Sequence, residues 1–368
     1  MIRIWKILAV MVICVMAMST KTIFAAGGVA AKKKTSAEQP EIDGRAGIVM
    51  DAKTGKILFQ KNINEKHYPA SITKILTTLV AIENNDDLYG EVTFSGETVN
   101  TLEEGSTHIG IQEGETLPLI DVLYAIMLES ANEACNGAAE YTAGSNKEFV
   151  KLMNEKAKEL GCDHSHFVTT NGLHDDDHYV TAKDMATITK AALENETFRK
   201  IACSSNYYIT PTNKSKEARQ LWNHHKMVKK TMFPYEGIEG GKTGYTTRAG
   251  GTLVTFVKRD NLELICVVLQ GNGYELYKDT IKMLDYAYDN YKVVTPFKGI
   301  QNVIQDNGLG ILKAGNQLPA NSLQLGDLDD VSILLEKSQD EEKLSYRSKG
   351  KNLYVDYNGK NIGKVQIY

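Results

Sequence analysis

Two pairs of short apolar runs, placed far apart along the chain, constrain its fold more than any other feature. The first pair covers residues 46–51 and 56–60, and the second covers residues 251–257 and 262–269. Because each pair flanks a short polar turn, each is predicted to form a β-hairpin. Helical patterns occupy the chain between them. We therefore predict an α+β domain in which strands from both ends form one antiparallel sheet beside a helical cluster.

Several segments between the hairpins, and one after them, repeat apolar residues at intervals of three and four, which is typical of amphipathic helices. Gly161 is expected to end one of these helices, and Thr181 is expected to cap the start of another. The first helix is apolar on most sides and is predicted to be buried. The predicted helices cover residues 72–80, 116–128, 133–141, 146–160, 181–193 and 277–291.

The sequence after Pro296 has a different texture, with short apolar runs at residues 331–335, 353–357 and 362–367. Asn358-Gly359 is a strong signal for a tight hairpin turn between the last two runs. We predict a main domain over residues 44–295 and a small C-terminal all-β domain over residues 297–368.

The N-terminus has the order of a secretory signal peptide. Arg3 and Lys6 precede an apolar run over residues 7–18, and small residues such as Ala26 follow it. The run is too short to predict a membrane span, although an uncleaved anchor is the alternative. We therefore predict a signal peptide over residues 1–30, a lysine-rich linker over residues 31–43 and export from the cytoplasm.

Composition excludes some classes of function. The net charge of −4 gives no support for a nucleic acid or an anionic membrane surface as a partner. Four cysteines follow the predicted signal peptide without any Cys-x-x-Cys spacing, and we expect free, buried thiols rather than a disulfide framework. These cysteines are Cys135, Cys162, Cys203 and Cys266.

Ser71 and Lys74 form a candidate catalytic pair at the start of the first helix. Residues three apart share a helix face, so the two side chains are expected to meet, with Ser71 also capping the helix. A lysine in an apolar helix is costly unless it is used, which indicates a desolvated base beside a serine nucleophile. Ser-x-x-Lys also arises by chance, and Ser348 to Lys351 repeats it in a polar, glycine-containing stretch.

Two later motifs favour a catalytic role for the Ser71-x-x-Lys74 match over a chance occurrence. Ser130-Ala131-Asn132 lies at a predicted helix junction, and Lys242-Thr243-Gly244 leads into a predicted strand. Decoys of both motifs, at Ser204-Ser205-Asn206 and Lys53-Thr54-Gly55, occur in unsuitable contexts. Only one set has the order Ser-x-x-Lys, Ser-x-Asn, Lys-Thr-Gly, which is the signature of penicillin-binding proteins and related β-lactamases.

Over residues 46–291 the sequence resembles the low-molecular-mass penicillin-binding proteins, which are serine-type D-alanyl-D-alanine carboxypeptidases. The resemblance extends beyond the three motifs to Asn171-Gly172-Leu173, to residues 178–185 and to residues 237–250. It implies a β-lactamase/transpeptidase-like domain at residues 44–295, with the β tail in the place of the family's C-terminal domain.

The resemblance also implies roles for individual residues. Ser71 would attack the scissile carbonyl, Lys74 would act as general base, and Ser130 would pass a proton to the departing D-alanine. For substrate binding, Asn132 would hold an amide, Lys242 would supply positive charge, Thr243 would bind the terminal carboxylate, and Gly244 would allow close approach. The oxyanion hole would use the N–H groups of Ser71 and Tyr245.

Three features qualify the resemblance. Residues 223–226 replace an arginine-containing segment of the family, which leaves a second carboxylate contact open. The last residues lack the pattern of the family's amphipathic membrane anchor, so membrane attachment is also open. Histidines and acids in a predicted loop could suggest a metal site, but their spacing favours solvated loop residues, and we expect neither metal nor cofactor. The histidines in question are His164, His166, His174 and His178.

The sequence thus predicts an exported hydrolase of the cell wall or periplasmic space that trims the terminal D-alanine from peptidoglycan stem peptides. It would form an acyl-enzyme on Ser71 and be inhibited by β-lactams. The alternatives are a D,D-endopeptidase, a class A-type β-lactamase and a non-catalytic module that binds β-lactams or the cell wall. Class A enzymes carry Ser-Asp-Asn where this chain has Ser130-Ala131-Asn132, and they lack the β tail.

Overall fold

The computed structural model describes residues 38–295, apart from residues 104, 230 and 231, together with residues 332–349 and 352–366. The predicted signal peptide and most of the predicted linker lie outside the described residues. The described strands, in chain order, are β1 (Ala46–Asp51), β2 (Ile57–Lys61), β3 (Glu91–Thr93), β4 (Thr116–Pro118), β5 (Asn206–Ile209), β6 (Arg219–Trp222), β7 (Ile238–Thr246), β8 (Gly250–Arg259), β9 (Leu262–Gly271), β10 (Tyr291–Val294), β11 (Ile333–Glu336), β12 (Leu344–Lys349), β13 (Asn352–Tyr357) and β14 (Lys360–Gln366).

The helices of the described chain fall mostly between the two groups of sheet strands. Among them, no helix combines the length and the apolar character needed to cross a membrane. The α-helices are α1 (Lys74–Glu83), α2 (Gly96–Asn100), α3 (Leu119–Tyr124), α4 (Asn132–Ala143), α5 (Asn146–Glu159), α6 (Ala182–Glu194), α7 (Glu196–Ala202) and α8 (Glu275–Asn290).

One five-stranded sheet organises the main domain, in the order β2-β1-β9-β8-β7 with antiparallel neighbours. Ala46 pairs with Leu269 and Asp51 pairs with Leu264, so the N-terminal hairpin adds to the strands from the other end of the domain. The predicted α+β fold, with a sheet built from both ends, is therefore confirmed. Both predicted hairpins are present.

The sheet is buried on both faces, which explains why its strands read as nearly continuous apolar runs. In β9, Ile265, Val267 and Leu269 face the helical cluster that includes α1, α4 and α6. The alternate residues Leu264, Cys266 and Val268 pack against α8 on the opposite face. This alternation follows from the two-residue period of a strand, and it gives three layers with two cores.

The start of the first helix differs from the prediction in one respect. Ala70–Thr73 forms a 3₁₀ turn after Pro69, and the α-helix proper begins at Lys74. Ser71 therefore lies inside the turn, and its expected role as helix cap was wrong. Because Ala70 has φ of 51°, the chain turns sharply just before Ser71. The serine hydroxyl is left for an interaction other than capping.

A second difference concerns residues 116–129. Thr116–Pro118 was predicted to open a helix but forms β4, which pairs with β3. The proline restricts the residue before it to extended conformations, and α3 begins only after it. A π-helix at Ala125–Glu129 then ends at Ser130. Elsewhere the predicted cap is confirmed, since the Thr181 side chain accepts a hydrogen bond from Asp184 N–H.

The C-terminal strands form two small antiparallel sheets, one of β10 with β11 and one of β12, β13 and β14. Asn358 and Gly359 both have positive φ, of 49° and 73°, as the predicted hairpin turn requires. Tyr291, predicted to end the last helix, instead begins β10.

At the N-terminal end of the described chain, packing extends into the predicted linker. Ile42 is buried, and Asp43 N–H donates a hydrogen bond to the Asp279 carboxylate. The domain limits themselves stay predictions.

The cysteines of the described residues are free, as expected. Cys135, Cys162 and Cys266 are buried, whereas Cys203 is partly exposed. Burial raises the pKa of the Cys135 thiol to about 11, which keeps this thiol protonated and unreactive at neutral pH.

Candidate active site

The Lys74 side chain joins three separate chain segments at the N-terminal end of α1. Its Nζ lies 3.0 Å from Ser71 Oγ, 2.8 Å from Asn132 Oδ1 and 2.7 Å from the carbonyl oxygen of Asn171. Lys74 is fully buried, so these groups replace its hydration shell. The structure thus brings together Ser71, Lys74 and Asn132, three of the residues that the motifs single out.

Burial controls the charge of this amine. It lowers the pKa of Lys74 below the ordinary lysine value, because an ammonium ion loses its hydration in the protein interior. Cys135 and Glu133 act in the opposite direction but more weakly. A lowered pKa increases the fraction of neutral amine, and only the neutral form can accept a proton from Ser71.

A second buried amine comes from β7. Burial, and then the nearby Lys74, lower the pKa of Lys242 to about 7. Lys242 Nζ donates a hydrogen bond to the carbonyl oxygen of Thr243 at 3.0 Å, and its side chain is almost entirely buried. Two ammonium groups in one buried site repel each other, so the two amines titrate as a coupled pair.

Ser130 and Asn132 lie at the junction between the π-helix and α4. Ser130 is buried and adopts a left-handed conformation with φ of 59°. Asn132 N–H donates to the carbonyl oxygen of Thr107 at 2.8 Å, which ties the junction to the preceding loop. Because Asn132 Oδ1 accepts the bond from Lys74, its side-chain amide hydrogens remain as donors.

Strand β7 passes directly beside the serine. A Cβ atom added at Gly244 would lie 2.8 Å from Ser71 N and 2.4 Å from Thr252 Oγ1. Only glycine fits here without displacing backbone. The hydroxyl of Thr252, on β8, donates to the carbonyl oxygen of Pro69 at 2.8 Å and fixes the turn that carries the serine. Thr243 is partly buried, and Tyr245 is 73% exposed at the rim.

Sequence reasoning missed the loop that accepts a hydrogen bond from Lys74. Asn171 contributes its backbone carbonyl, which no side-chain pattern reveals. Gly172 has φ of 86°, and a Cβ atom there would lie 2.0 Å from the carbonyl oxygen of Ala70. The motif Asn171-Gly172-Leu173 was noted only as part of the resemblance, and its glycine was the available signal for a close approach.

His178 anchors the same loop and was wrongly predicted to be a solvated loop residue. It is 1% exposed, and its Nε2 lies 3.0 Å from Thr73 Oγ1. Its Nδ1 accepts hydrogen bonds from the N–H groups of Val168 and Thr169. Burial lowers the pKa of His178 to about 4, so the ring is neutral at physiological pH. The described residues contain no group of three metal-ligating side chains.

The segment that replaces the family's arginine-containing stretch borders Ser130. His224 Nε2 lies 2.8 Å from Glu129 Oε2, in the residue just before Ser130. Burial lowers the pKa of His224, and the Glu129 carboxylate partly offsets this. His225 is buried, with Nε2 2.9 Å from Thr255 Oγ1. The described segment therefore presents an imidazole already engaged by a carboxylate.

The chain is similar in sequence to known D-alanyl-D-alanine carboxypeptidases. The peptidase S11 family profile, described as D-alanyl-D-alanine carboxypeptidase, matches residues 33–273. The chain is 33% identical over 305 residues to D-alanyl-D-alanine carboxypeptidase DacF of Bacillus subtilis, covering 81% of this chain and 74% of the relative.

Two solved structures are also similar. The Streptomyces K15 DD-transpeptidase matches with a TM-score of 0.64 at 24% identity, covering 68% of this chain and 99% of that chain, which supports the fold. The D-alanyl-D-alanine carboxypeptidase of Mycobacterium tuberculosis H37Rv matches with a TM-score of 0.62 at 26% identity, covering 69% of this chain and 94% of that chain. The extent of the family match and the 33% identity to DacF together show that this chain belongs to the D-alanyl-D-alanine carboxypeptidase family.

Proposed function

We propose that this protein is an exported serine D-alanyl-D-alanine carboxypeptidase that removes the terminal D-alanine from peptidoglycan stem peptides. The observation that carries the proposal is the 3.0 Å contact between Ser71 Oγ and the fully buried Lys74 amine. A serine hydroxyl is a weak nucleophile unless a base lies within hydrogen-bonding reach, and an amine of lowered pKa is such a base.

Acylation follows from this arrangement. Ser71 Oγ attacks the carbonyl carbon between the two D-alanines while neutral Lys74 accepts the hydroxyl proton. Asn132 Oδ1 and the Asn171 carbonyl hold the amine in place, so little reorganisation is needed as charge moves. The backbone N–H groups of Ser71, at the helix end, and of Tyr245, on β7, would form the oxyanion hole for the developing charge.

The leaving group is bound on the side of Lys242. The substrate carboxylate binds Lys242 and the Thr243 hydroxyl, and its negative charge restores the protonated form of an amine with a pKa of about 7. Ser130 passes a proton to the departing D-alanine nitrogen. The Asn132 amide hydrogens donate to the substrate backbone. Water then hydrolyses the acyl-enzyme and regenerates Ser71.

Penicillin labelling and D-alanine release test this proposal together. The wild-type protein is expected to bind fluorescent penicillin covalently and to release D-alanine from a D-Ala-D-Ala stem-peptide mimic, and Ser71→Ala is expected to do neither. Labelling without release would indicate a binding module, and rapid penicillin turnover would indicate a β-lactamase. Faster cleavage of cross-linked dimers than of the linear mimic would indicate an endopeptidase.

A further inference from the structure

We propose that Glu129 is a positioning residue that fixes Ser130, on the helical side of the site, relative to Lys242, on the sheet side. This inference rests on the proposed function, which gives Ser130 the task of passing a proton to the departing D-alanine nitrogen. Glu129 acts through Ser130 and takes no step of its own. Its removal therefore impairs the cleavage of amide bonds, whose nitrogen needs a proton in order to leave, far more than the cleavage of thioesters.

The backbone at Ser130 needs support from its surroundings. The π-helix Ala125–Glu129 ends at this serine, whose φ of 59° lies in the left-handed region. A residue with a side chain keeps that conformation only where neighbouring contacts hold it, and both features are common at functional sites. On the following side, Asn132 N–H donates to the carbonyl oxygen of Thr107. On the preceding side, the support comes from the Glu129 side chain.

The Glu129 carboxylate uses both of its oxygens to bind the end of β6 and the residues after it. Oε1 accepts a hydrogen bond from Trp222 N–H at 2.6 Å, and Oε2 accepts one from His224 Nε2 at 2.8 Å. Because a carboxylate only accepts, Nε2 carries the imidazole proton. The Glu129 side chain is 20% exposed, so both bonds are partly shielded from water. Charge-assisted bonds at two separate oxygens hold this side chain, and with it the end of the π-helix, in one orientation.

Residues 222–225 are in turn packed against β7. The His225 ring lies beside Gly241, where an added Cβ atom would come within 2.7 Å of His225 Cδ2. The ring is buried, so water does not separate it from the strand. Since Gly241 directly precedes Lys242, the segment connects Glu129 to the strand that carries the second amine.

Charge and geometry at position 129 can be separated by substitution. Burial and Lys74 lower the pKa of Lys242, and the Glu129 carboxylate partly opposes them. Glutamine removes this charge, but its amide can still accept from Trp222 N–H and donate to Nε2 in the other tautomer of His224. Leucine, of similar size, removes the charge and both hydrogen bonds.

Two substrates that differ in the leaving atom test the role. One is diacetyl-lysyl-D-Ala-D-Ala, and the other carries D-thiolactate in place of the last D-alanine. An amine leaves with a proton, which Ser130 supplies, whereas a thiolate leaves with the electron pair of the C–S bond and needs none, because thiols are far stronger acids than amines. We expect Glu129→Leu to lower kcat/KM for the amide about fiftyfold, chiefly through kcat, and that for the thioester less than about threefold. Glu129→Gln should stay within about threefold of wild type on both substrates.

Two results would overturn the proposal: equal losses on the amide and the thioester in Glu129→Leu, or a Glu129→Gln variant as slow as Glu129→Leu on the amide. Ser130→Ala should show the same dependence on the leaving group. Adding Glu129→Leu to it should cause no further loss on the amide, since both changes remove one function. Losses that multiply would show that Glu129 acts independently of Ser130, against the proposal.

Further variants separate this role from a loss of stability. Glu140→Leu removes a carboxylate at the other end of α4 that accepts a bond from the Ser95 hydroxyl, and as the matched control it should leave both rates unchanged. If Glu129→Leu does not fold, His224→Ala removes one of the two bonds and should lower the amide rate about fivefold with the thioester rate unchanged. Equal effects of His224→Ala on both substrates would contradict the proposal. A wild-type protein that hydrolyses neither substrate would instead refute the proposed function.

Discussion

Replacing Lys242 by methionine should make the protein more stable while abolishing its activity. An ordinary lysine has a pKa of 10.5, whereas burial and Lys74 lower the pKa of Lys242 to about 7. Near neutral pH, protonation of Lys242 is therefore less favourable in the folded state than in the unfolded chain. Methionine keeps an apolar stem of similar length and carries no charge, so this cost disappears in the variant.

The magnitude follows from the two pKa values. Since each tenfold change in a binding constant is worth about 1.4 kcal/mol, the lowered pKa destabilises the fold by about 4 kcal/mol near pH 7. The unfolded state binds more protons than the folded state between about pH 7 and pH 10.5, so wild-type stability rises with pH across this window. Near pH 9.5 the cost falls to about 1 kcal/mol.

Urea denaturation at the two pH values measures this difference. We expect the free energy of unfolding of Lys242→Met to exceed that of the wild-type protein near pH 7, with the gap shrinking by about 3 kcal/mol near pH 9.5. Lys258→Met, at an exposed position of β8, should show no such change. If the gap between wild type and Lys242→Met is the same at both pH values, Lys242 has an ordinary pKa and the reasoning is refuted.

Three further predictions concern the serine and its supports. Lys74→Arg should reduce penicillin acylation at least about a thousandfold, because guanidinium stays protonated and cannot act as base; an acylation rate near wild type would argue against Lys74 as base. Gly244→Ala should reduce acylation about a hundredfold, since its Cβ would displace the Ser71 backbone, and it should leave the unfolding midpoint within a few degrees of wild type. His178→Ala should destabilise the fold by about 2–3 kcal/mol, because two backbone N–H groups and the Thr73 hydroxyl lose their hydrogen-bond partner. Urea denaturation measures this loss, and an unchanged midpoint would show that water replaces the ring.

Sequence patterns alone determined much of the architecture. The apolar runs that became β1, β8 and β9 are apolar at successive positions because both faces of the sheet are covered, so the strands and their antiparallel pairing could be predicted. Ser71, Lys74 and Asn132 were found because their motifs combine a chemical need with a fixed chain order. Local chemistry also predicted the Thr181 cap and the Asn358-Gly359 turn.

Other features depend on contacts between distant segments, which local patterns do not encode. The Asn171 carbonyl binds Lys74 because Gly172 lets its loop approach Ala70, and any residue at position 171 would supply the same atom. His178 looked like a loop residue because its burial is imposed by Thr73 and the residues packed around it. The lowered pKa of Lys242 likewise arises only when folding buries two amines in one site. Local propensity and period can be read along a chain, whereas burial, close approach and coupled charge exist only after the chain has folded.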